Sequence, residues 1–249
     1  MGTRRIVLVT GGVGGIGTAI CKRFARDGHF AVANYAIPGS ETKFQAAMAE
    51  AGFAQQSAIA FGDVADFEAM GRMAREIEAK HGPVDVLVNC AGITRDSTFR
   101  KMTPEQWHAV ISTNLDSVFN VTRHVIDGMV ERGWGRIVNI SSVNATRGQF
   151  GQTNYAAAKA GILGFTKSLA QEVVRKGVTV NAVSPGYVQT DMVAAIRPDV
   201  RDKIIAEIPA GRLATTDEIA DAVAWLASDG AAYVTGTNLS VNGGLHMYA

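Results

Sequence analysis

Short runs of apolar, often β-branched residues alternate along this chain with longer segments of helical period. Apolar runs without polar alternation are typical of parallel strands whose two faces are both covered by helices. The seven runs lie at 6–10, 30–34, 57–61, 84–89, 136–140, 178–183 and 238–241. The helical segments lie at 16–28, 40–51, 66–81, 104–132, 154–176 and 216–228. This order predicts the α/β class, as a doubly wound, seven-stranded parallel sheet with helices on both faces.

The composition is typical of one globular domain. The 249 residues are 47% hydrophobic, enough for one large core, and no linker-like stretch divides 1–249. A net charge of +1 gives no broad basic surface for nucleic acid. The apolar run after Arg5 ends after five residues, and none approaches the roughly 20 apolar residues of a membrane span. Cys21 and Cys90 are too few for a disulfide framework or a metal cluster. We therefore expect a cytoplasmic protein with no metal, membrane or nucleic-acid partner.

A glycine-rich turn follows the first strand and opens the first helix. It reads Thr-Gly-Gly-Val-Gly-Gly-Ile-Gly over 10–17. Glycines let a backbone approach a pyrophosphate, whose charge the helix N-terminus stabilises with its N–H groups and dipole. The spacing favours a dinucleotide-binding loop formed by Gly11, Gly14, Gly15, Ile16 and Gly17, with a plain glycine-rich turn as the alternative.

Further cofactor contacts are expected after the later strands, because ligands of doubly wound sheets bind at the carboxyl ends. A carboxylate after the third strand can accept a hydrogen bond from an adenine amino group. Small residues after the fourth strand let the chain pass close to a ribose, and the backbone after the sixth can bind the nicotinamide carboxamide. The residues predicted to make these contacts are Asp63 and Val64 after the third strand, Asn89, Ala91 and Gly92 after the fourth, and Pro185, Gly186 and Val188 after the sixth.

The end of the second strand bears on the choice between NADP(H) and NAD(H). An NAD enzyme usually places an acid there to bind the ribose hydroxyls. In this chain the first acid after that strand is Glu41. Its late position favours NADPH/NADP+, with Tyr35 at the strand end and Ser40 and Lys43 as candidate ligands of the 2′-phosphate. No arginine stands at this strand end, so NADH is kept as the alternative cofactor.

Tyr155 and Lys159 share one face of a helix, because residues four apart are neighbours on its surface. A phenol with its usual pKa of about 10 is a poor acid-base catalyst unless a cation stabilises its anion. We expect Lys159 to supply that charge and to reach the ribose hydroxyls of a nicotinamide. Taken alone, an ordinary pair of core tyrosine and surface lysine has the same spacing.

Two polar residues elsewhere fit this chemistry. Ser142 follows the fifth strand, and we predict that it, rather than Ser141, faces the tyrosine and binds the substrate carbonyl oxygen. Asn114 is a poor helix former inside a long helical segment. We expect it to anchor a water that links Lys159 to solvent, with a structural, hydrogen-bonded asparagine as the alternative.

In this order, TGGVGGIG, NCAG, Asn114, Ser142, YAAAK and SPGYVQT resemble the short-chain dehydrogenase/reductase family over essentially the whole chain. The resemblance implies a Rossmann fold, a nicotinamide-dependent oxidoreductase, and a homotetramer built through two long helices. It also implies a catalytic tetrad of Asn114, Ser142, Tyr155 and Lys159. One departure is Cys90, where the family commonly has a second asparagine.

Segments at 92–102, 133–136, 142–155 and 242–247 are similar to acetoacetyl-CoA reductases of polyhydroxybutyrate biosynthesis. This similarity implies NADPH-dependent reduction of acetoacetyl-CoA to (R)-3-hydroxybutanoyl-CoA, with Tyr155 as the general acid. It implies an acyl-CoA site lined by Asp96, Lys101, Ser142, Gln149, Phe150, Gln152, Tyr155 and Tyr187. Lys101, Arg95 and Arg100 form a local basic group that suits the phosphates of CoA.

The main alternative is a 3-oxoacyl-[acyl-carrier-protein] reductase of fatty-acid synthesis. Such an enzyme shares every motif but needs a basic face for an acidic carrier protein, and Gly133-Trp134 stands where those enzymes carry more basic residues. A non-catalytic dinucleotide sensor, and a dehydrogenase that mainly oxidises a small alcohol, are less favoured.

Overall fold

Seven parallel strands form one sheet in the computed structural model, which describes residues 3–195 and 197–247. The spatial order β3-β2-β1-β4-β5-β6-β7 places β1 and β4 side by side at the centre, where the winding direction reverses. The predicted fold class is therefore confirmed. The strands are β1 Ile6–Val9, β2 Phe30–Tyr35, β3 Ser57–Phe61, β4 Val86–Asn89, β5 Gly135–Ile140, β6 Val178–Pro185 and β7 Asn238–Val241.

Helices connect the strands as right-handed crossovers require. They are α1 Gly15–Arg26, α2 Glu41–Glu50, α3 Phe67–His81, α4 Pro104–Ile111, α5 Ser117–Arg132, α6 Asn144–Arg147, α7 Thr153–Val173, α8 Asp191–Ala194, α9 Pro198–Glu207 and α10 Thr216–Ala227. The sequence pattern did not indicate α6, α8 or α9, because these helices are short and α9 buries none of its described residues. Without a buried stripe, a helix leaves no apolar period to detect.

The segment 104–132 is not one regular helix as predicted. It starts as expected, with Pro104 at the first position and a capping box between Thr103 and Gln106. One turn of π-helix at Ser112–Asp116 then separates α4 from α5. Asn114 lies in this widened turn and is fully buried. Such turns recur at functional sites, because the extra residue redirects a side chain.

The core consists of two apolar layers, one on each face of the sheet. Along β1, Val7 and Val9 pack in the layer that contains α1 and α10, whereas Ile6 and Leu8 pack in the layer under α3 and α5. Since neighbouring residues of a strand point to opposite faces, all four positions are buried. This explains why the strands read as continuous apolar runs. Within the described ranges, no helix combines the length and the apolar character needed to cross a bilayer.

We expect Thr215→Ala to lower the free energy of unfolding by about 1 kcal/mol. Thr215 forms a capping box with Glu218 at the start of α10, the helix that packs on α1. The urea midpoint, followed by circular dichroism, measures the effect. Thr216→Ala is the matched control, because Thr216 is the adjacent threonine and is not the cap. Equal midpoints for the two variants would contradict the assigned cap.

Candidate active site

The glycine-rich turn between β1 and α1 packs its backbone closely against neighbouring segments. Gly11 has a φ of +59°, and a Cβ there would lie 2.9 Å from the Cα of Ala91. A Cβ at Gly17 would overlap the carbonyl oxygen of Gly11. Helix α1 starts at Gly15 with Gly14 as its cap, and no side chain occupies the N–H groups of its first turn. These free donors and the small cradle fit the pyrophosphate of a dinucleotide.

Two buried side chains that the sequence reasoning missed tie this turn to its neighbours. The Asn34 Oδ1 atom accepts from the Gly11 N–H at 3.3 Å, and its Nδ2 atom donates to the Gly62 carbonyl at 2.9 Å. Thr10 Oγ1 accepts from the backbone N–H groups of Cys90 and Ala91 at 2.9 and 3.1 Å. Both residues are polar and come at or near the ends of otherwise apolar strands, which is the signal that could have found them.

Asp63 and Val64 follow β3 as predicted, and they differ in exposure. The Asp63 carboxylate is exposed and one oxygen accepts the Ala65 N–H at 3.0 Å, while Asp66 caps α3. Val64 is buried, and its carbonyl accepts from Asn120 Nδ2 at 3.0 Å. The adenine contact predicted for Asp63 stays a prediction.

We call the carboxyl edge of the sheet around the glycine-rich turn the cofactor cleft. Asn89, the last residue of β4, uses its side-chain amide on buried neighbours. Its Nδ2 atom donates to Asn139 Oδ1 at 2.8 Å and to Thr122 Oγ1 at 3.3 Å. Asn139 in turn donates to Thr166 Oγ1 at 2.9 Å. These bonds form a buried polar chain between the sheet and the helices α5 and α7. The cofactor contact predicted for Asn89 stays a prediction.

Gly92 lies close to two of the residues predicted to be catalytic. A Cβ at this glycine would lie 3.5 Å from both Asn114 Oδ1 and Lys159 Nζ. Ala91 is held beside Gly11 by its hydrogen bond to Thr10. The chain after β4 therefore passes between the glycine-rich turn and Lys159, and the cofactor contacts of Ala91 and Gly92 stay predictions.

Ser40 and Lys43, the predicted ligands of the 2′-phosphate, lie at the start of α2. The Ser40 hydroxyl donates to the Ile37 carbonyl at 2.6 Å, and Lys43 Nζ lies 3.2 Å from Asp191 Oδ2 of α8. Tyr35 ends β2 with its ring edge-on to Phe61, at 5.4 Å between centroids. Lys43 thus already has an acidic partner in the structure.

The turn after β6 is held from two sides. Gly186 donates its N–H to the Val241 carbonyl at 2.9 Å, and a Cβ on this glycine would lie 3.0 Å from the Cα of Asn242. Val188 is buried and pairs with Ala214 in an isolated parallel bridge. Pro185 is the last residue of β6. The backbone of this turn has a defined position beside the carboxyl edge.

Tyr155, Lys159 and Ser142 come together above the end of β5. The Ser142 hydroxyl accepts the Asn144 N–H at 3.1 Å. It also lies close enough to the Tyr155 phenol to lower the pKa of that group. Ser141 points the other way, donating to the Lys159 carbonyl at 2.8 Å. Ser142 is therefore the serine that lies at the tyrosine.

The pKa of Tyr155 shifts in the opposite direction to our expectation. Burial raises the pKa of this phenol above its ordinary value, and the Ser142 hydrogen bond offsets only part of that rise. The Lys159 ammonium lies 5.7 Å from the centre of the tyrosine ring and donates to the Ile140 carbonyl at 2.8 Å. Burial of that ammonium lowers the pKa of Lys159 to about 8.

Asn114 makes both of its side-chain hydrogen bonds to one backbone residue. Its Oδ1 atom accepts the Ile93 N–H at 2.8 Å, and its Nδ2 atom donates to the Ile93 carbonyl at 3.0 Å. This geometry favours the structural alternative, because the amide holds the loop after β4 in place. The predicted water relay stays a prediction.

The residues predicted to bind an acyl-CoA differ in how far their side chains are engaged by neighbours. Gln152 is engaged at both ends: its Nε2 atom donates to Asp96 Oδ2 and its Oε1 atom accepts from Asn144 Nδ2, both at 2.9 Å. Phe150 is 87% exposed. The remaining three are Lys101, which is exposed, and Gln149 and Tyr187, which are partly buried.

Asn154 is a further residue that the sequence reasoning did not single out. It is fully buried next to Tyr155, whose backbone N–H it accepts at 2.8 Å. Its Nδ2 atom donates to the carbonyls of Arg95 and Gln106 at 3.1 and 3.3 Å. It thereby joins the start of α7 to the loop that carries Asp96.

Cys90 lies beside Lys159 but has the properties of a filler. Burial raises the pKa of its thiol to about 11, while the Lys159 charge opposes this. A thiol with such a pKa is almost entirely protonated at neutral pH and is therefore a poor nucleophile.

Comparison with known proteins places this geometry in a family. Residues 12–246 match the family model described as enoyl-(acyl carrier protein) reductase. The chain is 58% identical to an acetoacetyl-CoA reductase of Allochromatium vinosum over 98% of this chain and 99% of that protein. It is 57% identical to an acetoacetyl-CoA reductase of Cupriavidus necator over the same shares. A 3-oxoacyl-[acyl-carrier-protein] reductase of Escherichia coli is 46% identical over 98% of each chain.

The names of these relatives and of the family model mention different substrates, but all are reductases, and the matches extend over nearly the whole chain. The parallel sheet and the glycine-rich cradle agree with the motifs on which the resemblance rested. The chain therefore belongs to the short-chain dehydrogenase/reductase family and is an oxidoreductase that uses a nicotinamide dinucleotide.

Proposed function

We propose that this protein reduces acetoacetyl-CoA to (R)-3-hydroxybutanoyl-CoA with NADPH. The observation that carries the proposal is the cluster of Ser142, Tyr155 and Lys159 at the carboxyl edge of the sheet, beside a glycine-rich cradle, in a chain 58% identical to an acetoacetyl-CoA reductase. The R configuration rests on the similarity to that group of enzymes. Cofactor and substrate would both bind within the one domain.

Tyr155 is the proton donor in this reaction. A bound nicotinamide supplies a hydride to the 3-keto carbon. The Tyr155 phenol gives its proton to the carbonyl oxygen, which becomes the hydroxyl of the product. Because burial raises the pKa of Tyr155, the phenol is protonated throughout the neutral range, as an acid in the reductive direction must be. Ser142 lies at the phenol and would hydrogen-bond the same carbonyl oxygen.

Lys159 stabilises the charge that the proton transfer leaves behind. Its ammonium lies 5.7 Å from the ring of Tyr155 and uses one N–H on the Ile140 carbonyl. Two N–H groups are then left for the ribose hydroxyls of the nicotinamide or for water. Because its pKa is about 8, a modest rise of pH above neutrality removes the positive charge.

The residues predicted to bind an acyl-CoA have the chemistry that a CoA thioester needs. The exposed Phe150 ring would offer an apolar surface to the pantetheine arm, and the partly buried Gln149 and Tyr187 would add polar contacts. The exposed Lys101, together with Arg95 and Arg100, suits the phosphates of CoA. Asp96 and Gln152 would act mainly by holding each other and the neighbouring Asn144.

The second candidate substrate is a 3-oxoacyl group on acyl carrier protein, favoured by the 46% identity to the Escherichia coli reductase. Trp134 argues against a basic docking face at this position. The guanidinium groups of Arg5 and Arg136 lie 3.7 and 4.4 Å from the centre of its ring, and its Nε1 atom donates to Asp229. A ring packed in this way adds no positive charge for an acidic partner.

We propose further that the enzyme works in the cytoplasm and serves polyhydroxybutyrate biosynthesis. We also propose that it is a homotetramer. Phe119 on the long helix α5 supports an assembly, because it is 52% exposed and stacks on Phe67 at 5.8 Å. Stacked aromatic rings that are partly exposed can contribute to a protein interface. Gel filtration coupled to light scattering tests this state, and a monomer would contradict it.

We expect Tyr155→Phe to lower kcat for acetoacetyl-CoA reduction by about 10²–10⁴-fold, because the phenol is the only proton donor proposed at the carbonyl. NADPH binding, measured by fluorescence titration, should change little. Tyr233→Phe is the matched control, since the Tyr233 side chain is fully exposed. Retention of most activity by Tyr155→Phe would refute the assigned role.

The pH dependence follows from Lys159. Its pKa is lowered from 10.5 to about 8, so the ammonium is present below that pH and lost as the pH rises through it. We therefore expect kcat/KM for reduction to fall above a midpoint near pH 8, while the NADPH dissociation constant is measured separately at each pH. A flat profile between pH 7 and 9.5 would contradict the role of the lysine charge.

The substrate and cofactor are tested together in a steady-state comparison. Purified enzyme should reduce acetoacetyl-CoA with a higher kcat/KM than acetoacetyl-[acyl carrier protein], and NADPH should be preferred to NADH. A large preference for the carrier-bound substrate would favour the second candidate. A clear preference for NADH would show that Ser40 and Lys43 do not bind a 2′-phosphate.

A further inference from the structure

Lys43 and Asp191 form an ion pair between α2 and α8. Lys43 lies in the first turn of α2, after β2, and Asp191 is the first residue of α8, after β6. Their charged atoms, Nζ and Oδ2, are 3.2 Å apart although the residues are separated by 148 positions in the chain. Asp191 is not among the cofactor or substrate residues predicted from the sequence.

The segment before Asp191 lies directly on the start of α1. A Cβ at Gly15, the first residue of that helix, would lie 3.4 Å from Thr190 Cγ2. Gln189 donates its N–H to the Ala214 carbonyl at 2.9 Å, which ties this segment to the chain before α10. Asp191 is therefore positioned at the edge of the phosphate-binding cradle.

The ion pair itself is weak and easily exchanged. The side chains of Lys43 and Asp191 are 87% and 97% exposed, so solvent screens their attraction. A phosphate monoester carries up to two negative charges and three acceptor oxygens, which makes it a stronger partner for an ammonium than one carboxylate. If a 2′-phosphate takes Lys43, Asp191 loses its partner and remains as a like charge nearby.

We propose that Asp191 is a specificity-determining residue that competes with the cofactor 2′-phosphate for Lys43. The inference rests on the proposed use of NADPH. Asp191 weakens the binding of NADP(H), which must displace it, and leaves the binding of NAD(H) unaffected, because NAD(H) has no phosphate at that position. The Lys43–Asp191 ion pair therefore joins α2 to α8 when NAD(H) is bound and is broken when NADP(H) is bound.

The experiment measures equilibrium dissociation constants of NADP+ and NAD+ by calorimetry for the unmodified protein and for Asp191→Asn. We expect Asp191→Asn to bind NADP+ about 2–5-fold more tightly, the range that an exposed ion pair allows. Its affinity for NAD+ should not change. Adenosine 2′,5′-bisphosphate should show the same gain and adenosine 5′-monophosphate none. The gain should shrink as ionic strength rises, because salt screens exposed charges.

Asp199→Asn is the matched control. Asp199 is an exposed acid of α9 whose partner is Arg197 at 3.2 Å, so its removal changes the net charge of the same region without freeing Lys43. It should alter neither affinity. An equal gain in Asp199→Asn would mean that net charge alone explains the effect, which overturns the proposal.

Lys43→Ala separates the inference from the proposed function. Weaker binding of NADP+ by this variant supports Lys43 as the phosphate ligand, and no change would refute that part of the proposed function. If Lys43→Ala weakens binding but Asp191→Asn has no effect or weakens binding too, only the competition is refuted. In the double variant the gain from Asp191→Asn should disappear, and a gain of full size there would also refute competition through Lys43.

Discussion

Parallel pairing of all seven strands is the constraint on which the rest of the site depends. Parallel strands must be joined by crossovers that return the chain to the opposite edge, so every carboxyl end lies on the same side of the sheet. The glycine-rich turn after β1, Ser142 after β5 and the turn after β6 therefore become neighbours despite their distance in sequence. The active site is a consequence of strand direction before any side chain is considered.

Buried polar side chains then determine the shape of the cleft. Asn34 bonds the backbone of the glycine-rich turn after β1. Thr10 and Asn114 both bond the backbone of the loop after β4. A buried polar group without a partner is costly, so each of these contacts is strongly specified. Because the cradle and the loop after β4 are held in this way, the dinucleotide site is largely formed by the protein alone.

Burial also governs the protonation of Tyr155 and Lys159, the proposed catalytic pair. It raises the pKa of Tyr155 and lowers that of Lys159, since in each case the neutral form is favoured away from water. The two shifts keep a proton on the phenol and make the lysine charge sensitive to mild alkali. The pair is thus suited to reduction near neutral pH, with Ser142 as the neighbour that partly restores the acidity of the phenol.

The sequence by itself determined the fold class, the glycine-rich turn and the neighbouring positions of Tyr155 and Lys159, because periodicity and short spacing are properties of a single segment. Only the tertiary structure decided that the Asn89 side chain points into the sheet and that the pKa of Tyr155 rises. The ion pair between Lys43 and Asp191 is likewise visible only in the tertiary structure. Burial and partner choice depend on elements far apart in the chain, and no local pattern records which of them will meet.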